Sequence, residues 1–193
     1  VEKAAWPSQE AKLPVLWEMI EVYRDRLKLD VKVIQHFNQI LTIQPSNLEA
    51  VDALASQYEA MKRWPDLISI LRKRASVVET PTEKVTLNLR IANLYLEKFS
   101  NQAEAIKAFE AVLEIDPANA EALSYLKQMY EKRRDWDKLV AISQDEIARV
   151  SDPAERRRRR IEVAKLASEK LKKPSVSIAL WKQVMSEPGS DAN

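Results

Sequence analysis

Proline falls at a fixed interval along this chain of 193 residues. Pro45, Pro81, Pro117, Pro153 and Pro188 are separated by 36, 36, 36 and 35 residues. A period of this length is the signature of a solenoid of stacked helical hairpins, in which each repeat buries its apolar face against its neighbours. Such a chain is expected to work as a surface rather than as an enclosed pocket.

The similarity sharpens at twice the period. A shift of 72 residues carries Pro45 onto Pro117, Asn47 onto Asn119, and Glu49-Ala50 onto Glu121-Ala122. It carries Leu54, Tyr58, Trp64 and Leu67 onto Leu126, Tyr130, Trp136 and Leu139, and it carries Tyr23 onto Tyr95. Phe37 meets Phe109, whose next equivalent is Trp181. Two alternating kinds of hairpin are therefore expected, five hairpins in all, near 10–45, 46–81, 82–117, 118–153 and 154–188, forming one repeat domain. Within them the apolar residues recur at helical spacing: Leu123, Leu126 and Tyr130 in one half-repeat, and Ala105, Ile106, Phe109, Val112 and Leu113 in another. The helix pairs expected are 10–27/30–43, 48–61/65–79, 83–99/102–115, 119–133/136–150 and 154–171/174–186. Asn47 and Asn119 stand where an N-cap is wanted, and Pro65 and Pro174 at the start of second helices, where a missing N–H costs nothing.

Composition agrees. The only glycine is Gly189, which argues against β-rich and phosphate-cradling folds, because tight turns and nucleotide loops lean on glycine. Cysteine is absent, so disulfides and thiolate metal sites are excluded while the compartment stays open. No apolar run approaches the roughly 20 residues that cross a bilayer. The opening residues, Val1 to Trp6, lack the pattern of a signal peptide. A net charge of +2 gives no global attraction to nucleic acid or membrane.

The stretch from Ala103 to Asn119, AEAIKAFEAVLEIDPAN, resembles the second helix and closing turn of a tetratricopeptide repeat, with Ala105, Phe109 and Pro117 at the small, aromatic and proline positions. Leu54-Ala55 with Tyr58, and Ile91-Ala92 with Tyr95, resemble that family's first helix. The resemblance covers about residues 10–188. It implies an all-α, right-handed solenoid of about five hairpins, each a helix A and a helix B, whose A helices line a concave surface that binds protein or peptide. Ile20 and Lys127 depart from the family's small residue at the A–B crossing, and Ala167 replaces the tyrosine. The related half-a-TPR family of RNA-processing scaffolds is the alternative, with Trp64 and Trp136 as its recurrent aromatics. The lysine–asparagine clamp of chaperone-binding members is missing, Arg90 with Asn93 being only a fragment of it.

Catalytic machinery is nearly absent. His36 is the only histidine, a partly exposed helix residue with no second histidine for zinc, and no nucleophile or glycine-loop motif is present. No enzyme, cofactor or metal is expected; a docking segment of a larger enzyme is the remaining enzymatic reading. The run Arg156 to Arg160 is the one hint of nucleic-acid or acidic-ligand binding. At 100° per residue it encircles a helix rather than lining one face, with Arg157 and Arg160 along the packing stripe and Arg158 aimed at a groove. Trp181 is assigned to the core, and Trp64 and Trp136 to joints between hairpins. Trp17 is either a concave peptide anchor or packed against Trp6 and Leu13. The last helix, with Ile178, Leu180, Trp181 and Val184, is expected to leave one flank bare, as in a piece of a longer array ending at Asn193.

The concave face should carry Trp17, Glu18, Glu21, Glu49, Asp52 and Ser56 at one end and Arg90, Asn93, Tyr125, Gln128, Arg158, Glu162 and Lys165 toward the other. The first group is acidic, the second more basic and polar. The function expected is a protein-interaction scaffold that orients a peptide or partner helix along this gradient. Reversing Glu49 and Asp52 to lysine should weaken partner binding in a salt-sensitive way, whereas Lys107→Glu on an outer helix should do little; affinities measured at two salt concentrations check this.

Overall fold

The structure, a computed structural model, describes residues 8–186. The expectations attached to Trp6, Pro188 and the segment ending at Asn193 lie outside the described residues. Ten α-helices and no strand are present among those described: α1 (Leu13–Glu21), α2 (Asp30–Ile43), α3 (Leu48–Ala60), α4 (Trp64–Val77), α5 (Pro81–Phe99), α6 (Gln102–Ile115), α7 (Ala120–Arg133), α8 (Trp136–Ile147), α9 (Pro153–Lys170) and α10 (Pro174–Ser186). Odd-numbered helices are the A helices and even-numbered ones the B helices of the repeat. The chain is all-α, and contacts group it into two compact units, Val1–Ala105 and Ile106–Asn193, with the boundary inside α6.

The recurrent prolines have two jobs, which alternate. Pro45 and Pro117 stand in the turn just before the N-caps Asn47 and Asn119, whose side chains accept hydrogen bonds from the amides of Ala50 (2.9 Å) and Ala122 (3.1 Å). Each cap satisfies an amide the helix leaves orphaned. Pro81 and Pro153 are instead the first residues of α5 and α9. There the fixed φ suits the helix and the missing N–H is not needed. Asp152 caps α9 by accepting from the amides of Ala154 and Glu155.

The reversal from A helix to B helix also repeats. Lys28, Lys62, Ser100 and Arg134 have φ of 54°, 55°, 49° and 57°, the left-handed conformation that ends many helices. In each turn the carbonyl of the recurrent tyrosine accepts the closing amide. Arg63 N–H donates to Tyr58 and Asp135 N–H to Tyr130, both at 2.8 Å, while Leu29 donates to Tyr23 and Asn101 to Tyr95, both at 2.9 Å. The loop spans five residues in the second and fourth hairpins and six in the first and third. That one-residue difference is the structural origin of the 72-residue alternation. In the first hairpin the extra residue is absorbed as a π-helical turn, Val22–Arg26, and a 3-10 turn, Glu10–Lys12, precedes α1. The single helix expected over 10–27 is thus three segments. The fifth hairpin turns without a left-handed residue, Leu171 being extended at φ −82°.

In the first unit, the core is built from one stripe of each helix: Ile20, Val33, Phe37, Ile40, Val51, Leu54, Leu67, Leu71 and Ile91 are nearly inaccessible. Ile20 fills the site where the repeat pattern prefers a small residue. In the second unit Phe109, Val112 and Leu126 are equally buried, and Val140, Ile147, Val163, Ala164, Ala167, Leu180 and Val184 form a contiguous cluster around α8, α9 and α10. Trp64 and Trp136 open α4 and α8 as half-buried joints. Lys98 from α5 lies 5.0 Å over the first ring, and Lys170 from α9 lies 6.0 Å over the second. These cation–π contacts recur at the 72-residue shift.

Two expectations are corrected. His36 is buried at 7% exposure, not partly exposed. It falls three residues after Val33 and four before Ile40, on the stripe itself, with Nδ1 2.7 Å from the Lys32 carbonyl oxygen and its ring 5.1 Å from Tyr23. Trp181, placed in the core by register with Phe37 and Phe109, is only half-buried; its Nε1–H donates to Ser168 Oγ at 3.0 Å. Phe109→Ala should cost about 3–5 kcal/mol, as for other buried aromatics. His36→Ala should cost about 1–3 kcal/mol rather than behave as a surface change, because it removes a packed, hydrogen-bonded ring. Urea denaturation of both variants checks the register.

Candidate protein-binding groove

The second unit carries an open groove of about 540 Å³ on its A-helix face. Helix α7 contributes Lys127 and Glu131 to one wall, and α9 contributes Glu155, Arg158, Arg159, Glu162, Val163 and Leu166 to the other. Helix α8 supplies Leu139, Ser143, Glu146 and Ile147 between them. The groove exists because α8 is the B helix between two A helices, packed against both. Leu139, Ile147 and Val163 are buried apolar residues that give it an apolar base. A second hollow of about 440 Å³ lies beside it, lined by Pro117, Ala120, Leu123, Ser124 and Arg149 and sharing Lys127 and Glu146 with the first.

A chain of charges runs through these shared residues. Glu146 on α8 accepts from Lys127 Nζ at 2.8 Å and from Arg159 at 3.0 Å. Glu155 takes Arg159 Nε at 2.7 Å and holds Arg158 through two bonds of 2.9 Å. The Arg158 and Arg159 guanidiniums, in that order of effect, hold the Glu155 carboxyl well below the usual range, at about 2. Lys127, a departure from the small residue of the repeat pattern, thus links α7 to α8, and Arg159 links α9 to the same carboxylate.

The residues expected on the A-helix face sort as follows. Arg158 and Glu162 line the groove; Arg158 is exposed but anchored to Glu155. Lys165 and Gln128 are exposed outside its lining. Tyr125 is half-buried with its ring 4.5 Å from Phe109, and burial raises its hydroxyl pKa. In the first unit Glu18, Glu21, Glu49 and Ser56 are exposed. Trp17 is half-buried and meets Phe37 edge-on, ring centroids 5.6 Å apart at 79°. Asp52 bonds Arg74 at 2.8 Å, and Arg74 also holds Glu83, so α3, α4 and α5 share one half-buried guanidinium; burial pushes the Asp52 carboxyl up despite that partner. Arg90 is paired with Glu59 at 2.7 Å, and Asn93 is half-buried on α5.

Sequence reasoning missed Glu146, Glu155 and Arg159 as groove residues. The odd lysine at position 127 was the available signal: a cation at a helix crossing needs a carboxylate from the neighbouring helix.

Small-then-tyrosine A helices, small-then-aromatic B helices and tyrosine-closed turns now stand together. The hairpins are tetratricopeptide-like. No protein-family model matches the sequence, and no curated protein matches it. Among solved structures, a crystal structure of MamA protein is similar at 15% identity and a TM-score of 0.43, covering 92% of each chain. A Podosopora anserina putative kinesin light chain with nearly identical TPR-like repeats is similar at 15% identity and a TM-score of 0.37, covering 94% of this chain and 96% of that one. These superpositions are too loose to carry a site from one protein to another. Among the described residues no group of three or more histidine or acidic side chains is arranged for a metal ion, and no helix is long and apolar enough to cross a membrane.

The groove network is acid-sensitive with a defined sign. Glu155 is depressed in the folded state, so its contribution to stability is complete above the ordinary glutamate pKa of about 4.3 and is lost as pH falls toward about 2. Thermal unfolding from pH 6 to pH 2 should show a decline below about pH 4.3 that is shallower in Glu155→Gln.

Proposed function

We propose that this chain is a protein-interaction scaffold, and that the A-helix face of its second unit is where a peptide or partner helix lies. The observation that carries the reading is the groove between α7 and α9, with its apolar base and charged rims of both signs. An apolar base gives a ligand area to bury, and rim charges set orientation and on-rate more than affinity. The ligand this suits is a segment with apolar side chains at helical or alternate spacing and charges of both signs on its flanks.

The arginine run supports a protein ligand better than a nucleic acid. Phosphate recognition needs cations available to displace counterions, yet Arg158 and Arg159 are held by Glu155 and Glu146. The groove rim carries Glu131, Glu146, Glu155 and Glu162 against Lys127, Arg158 and Arg159. In the first unit Asp52 and Arg90 are held in ion pairs with Arg74 and Glu59, which leaves Glu18, Glu21 and Glu49 as the acidic end of the face. Asp52→Lys would therefore damage packing as well as any contact, and Glu49→Lys is the cleaner reversal.

Affinity capture from the native source tests this, comparing the unaltered chain with Leu166→Glu plus Glu162→Lys. The expected result is a protein recovered by the first and lost from the second while both melt within a few degrees of each other. Recovery of RNA instead, with a steep salt dependence that disappears on substituting Arg156 to Arg160, would overturn the scaffold reading.

A further inference from the structure

We infer, building on the scaffold reading above, that the groove of the second unit selects a partner segment with an arginine beside a bulky apolar residue, the guanidinium seated between Glu131 and Glu162. The groove lining sets three cations, Lys127, Arg158 and Arg159, against four carboxylates, Glu131, Glu146, Glu155 and Glu162. The two sets are not equally available to a ligand.

All three cations are committed within the protein. Lys127 Nζ reaches across from α7 to Glu146 at 2.8 Å. Arg159 divides its guanidinium between Glu146 at 3.0 Å and Glu155 at 2.7 Å. Arg158 gives two bonds of 2.9 Å to Glu155. Two carboxylates thus take up three cations. The other two are left over for a reason of spacing. Glu131 follows Lys127 by four residues on α7, and Glu162 follows Arg158 by four on α9, so each stands one turn from a cation that a different carboxylate has drawn away. Glu162 acts on Arg158 only through space. Both carboxylates are exposed, and neither bonds a side chain among the described residues.

The apolar base lies between them. Leu166 follows Glu162 by four more residues on the same face of α9; it is half-buried and packs against the core cluster of this unit. A ligand that covers Leu166 and its neighbours must also cover carboxylates on both walls. Removing their water without supplying a partner is costly, so the groove selects against apolar and acidic segments and in favour of one that brings a cation. Arginine suits the place better than lysine. Its planar fork has donors enough for carboxylates on two helices, and its methylene stem can lie along Leu166 while the head stays between the acids. The volume of about 540 Å³ is in the range that holds a small group of ligand side chains.

The probe is a randomised peptide library displayed on phage and selected against the full chain, with the recovered peptides then synthesised and titrated. Recovered peptides should carry arginine next to, or one helical turn from, a large apolar residue, and should lose affinity for Leu166→Ala and Leu166→Glu. Replacing that arginine by glutamate should weaken binding by about ten-fold or more, because two attractions become two repulsions. Glu131→Lys with Glu162→Lys should invert the preference, so that the glutamate peptide binds better than the arginine one. Glu131→Gln with Glu162→Gln should abolish the preference while apolar binding persists. All four substitutions are at exposed positions and should leave the melting temperature nearly unchanged. Peptides that need Leu166 but show no cation, or tolerate its reversal, would overturn the arginine assignment and leave the groove standing as a binding face. Recovery of no peptide, or only of peptides indifferent to both Leu166 variants, would overturn the scaffold reading and this assignment together.

Discussion

The tight reversal from A helix to B helix is the constraint on which the rest depends. Four hairpins make it with one left-handed residue, and none of the four is glycine. The closing amide reaches the carbonyl of the recurrent tyrosine each time, so the tyrosine position fixes where the turn happens. The turn then fixes the phase of helix B against helix A, and therefore which stripe is buried. A non-glycine residue in the left-handed region costs roughly 1–2 kcal/mol. The chain tolerates it because the backbone closure and the buried stripes on both sides over-determine the turn.

Once phase is set, polar side chains bridge the packed helices inside each unit. Arg74 joins α3, α4 and α5, Glu110 accepts from Tyr130 and Lys138 at 2.7 Å each, and Glu146 joins α7, α8 and α9. Exposed pairs of this kind contribute little individually. Their larger consequence is that many charges that look available in the sequence are already committed to neighbours. Within the five-arginine run, Arg158 and Arg159 are committed in this way to Glu155 and Glu146, and the groove has rims that carry both signs of charge.

Helix positions, both asparagine caps and the two-type alternation were legible in the sequence, because prolines, tyrosines and helical spacing are local signals. His36 was misjudged by residue type, although its spacing to Val33 and Ile40 placed it on the stripe. Trp181 was misjudged by analogy, since register predicts which face a residue takes but not whether another helix covers that face. The groove was the least legible part. Glu146 finds its partners 19 residues back and 13 residues ahead, separations that no single-helix pattern encodes.

If the left-handed turns set the phase, relieving their strain should stabilise the molecule without changing it. Thermal unfolding of Lys62→Gly and Arg134→Gly, beside Lys107→Gly within α6 as a control, tests this most directly. The account predicts that the two turn variants gain about 0.5–1 kcal/mol, seen as a rise of about 2 °C, while the helix control loses a similar amount. Equal destabilisation by all three would contradict it.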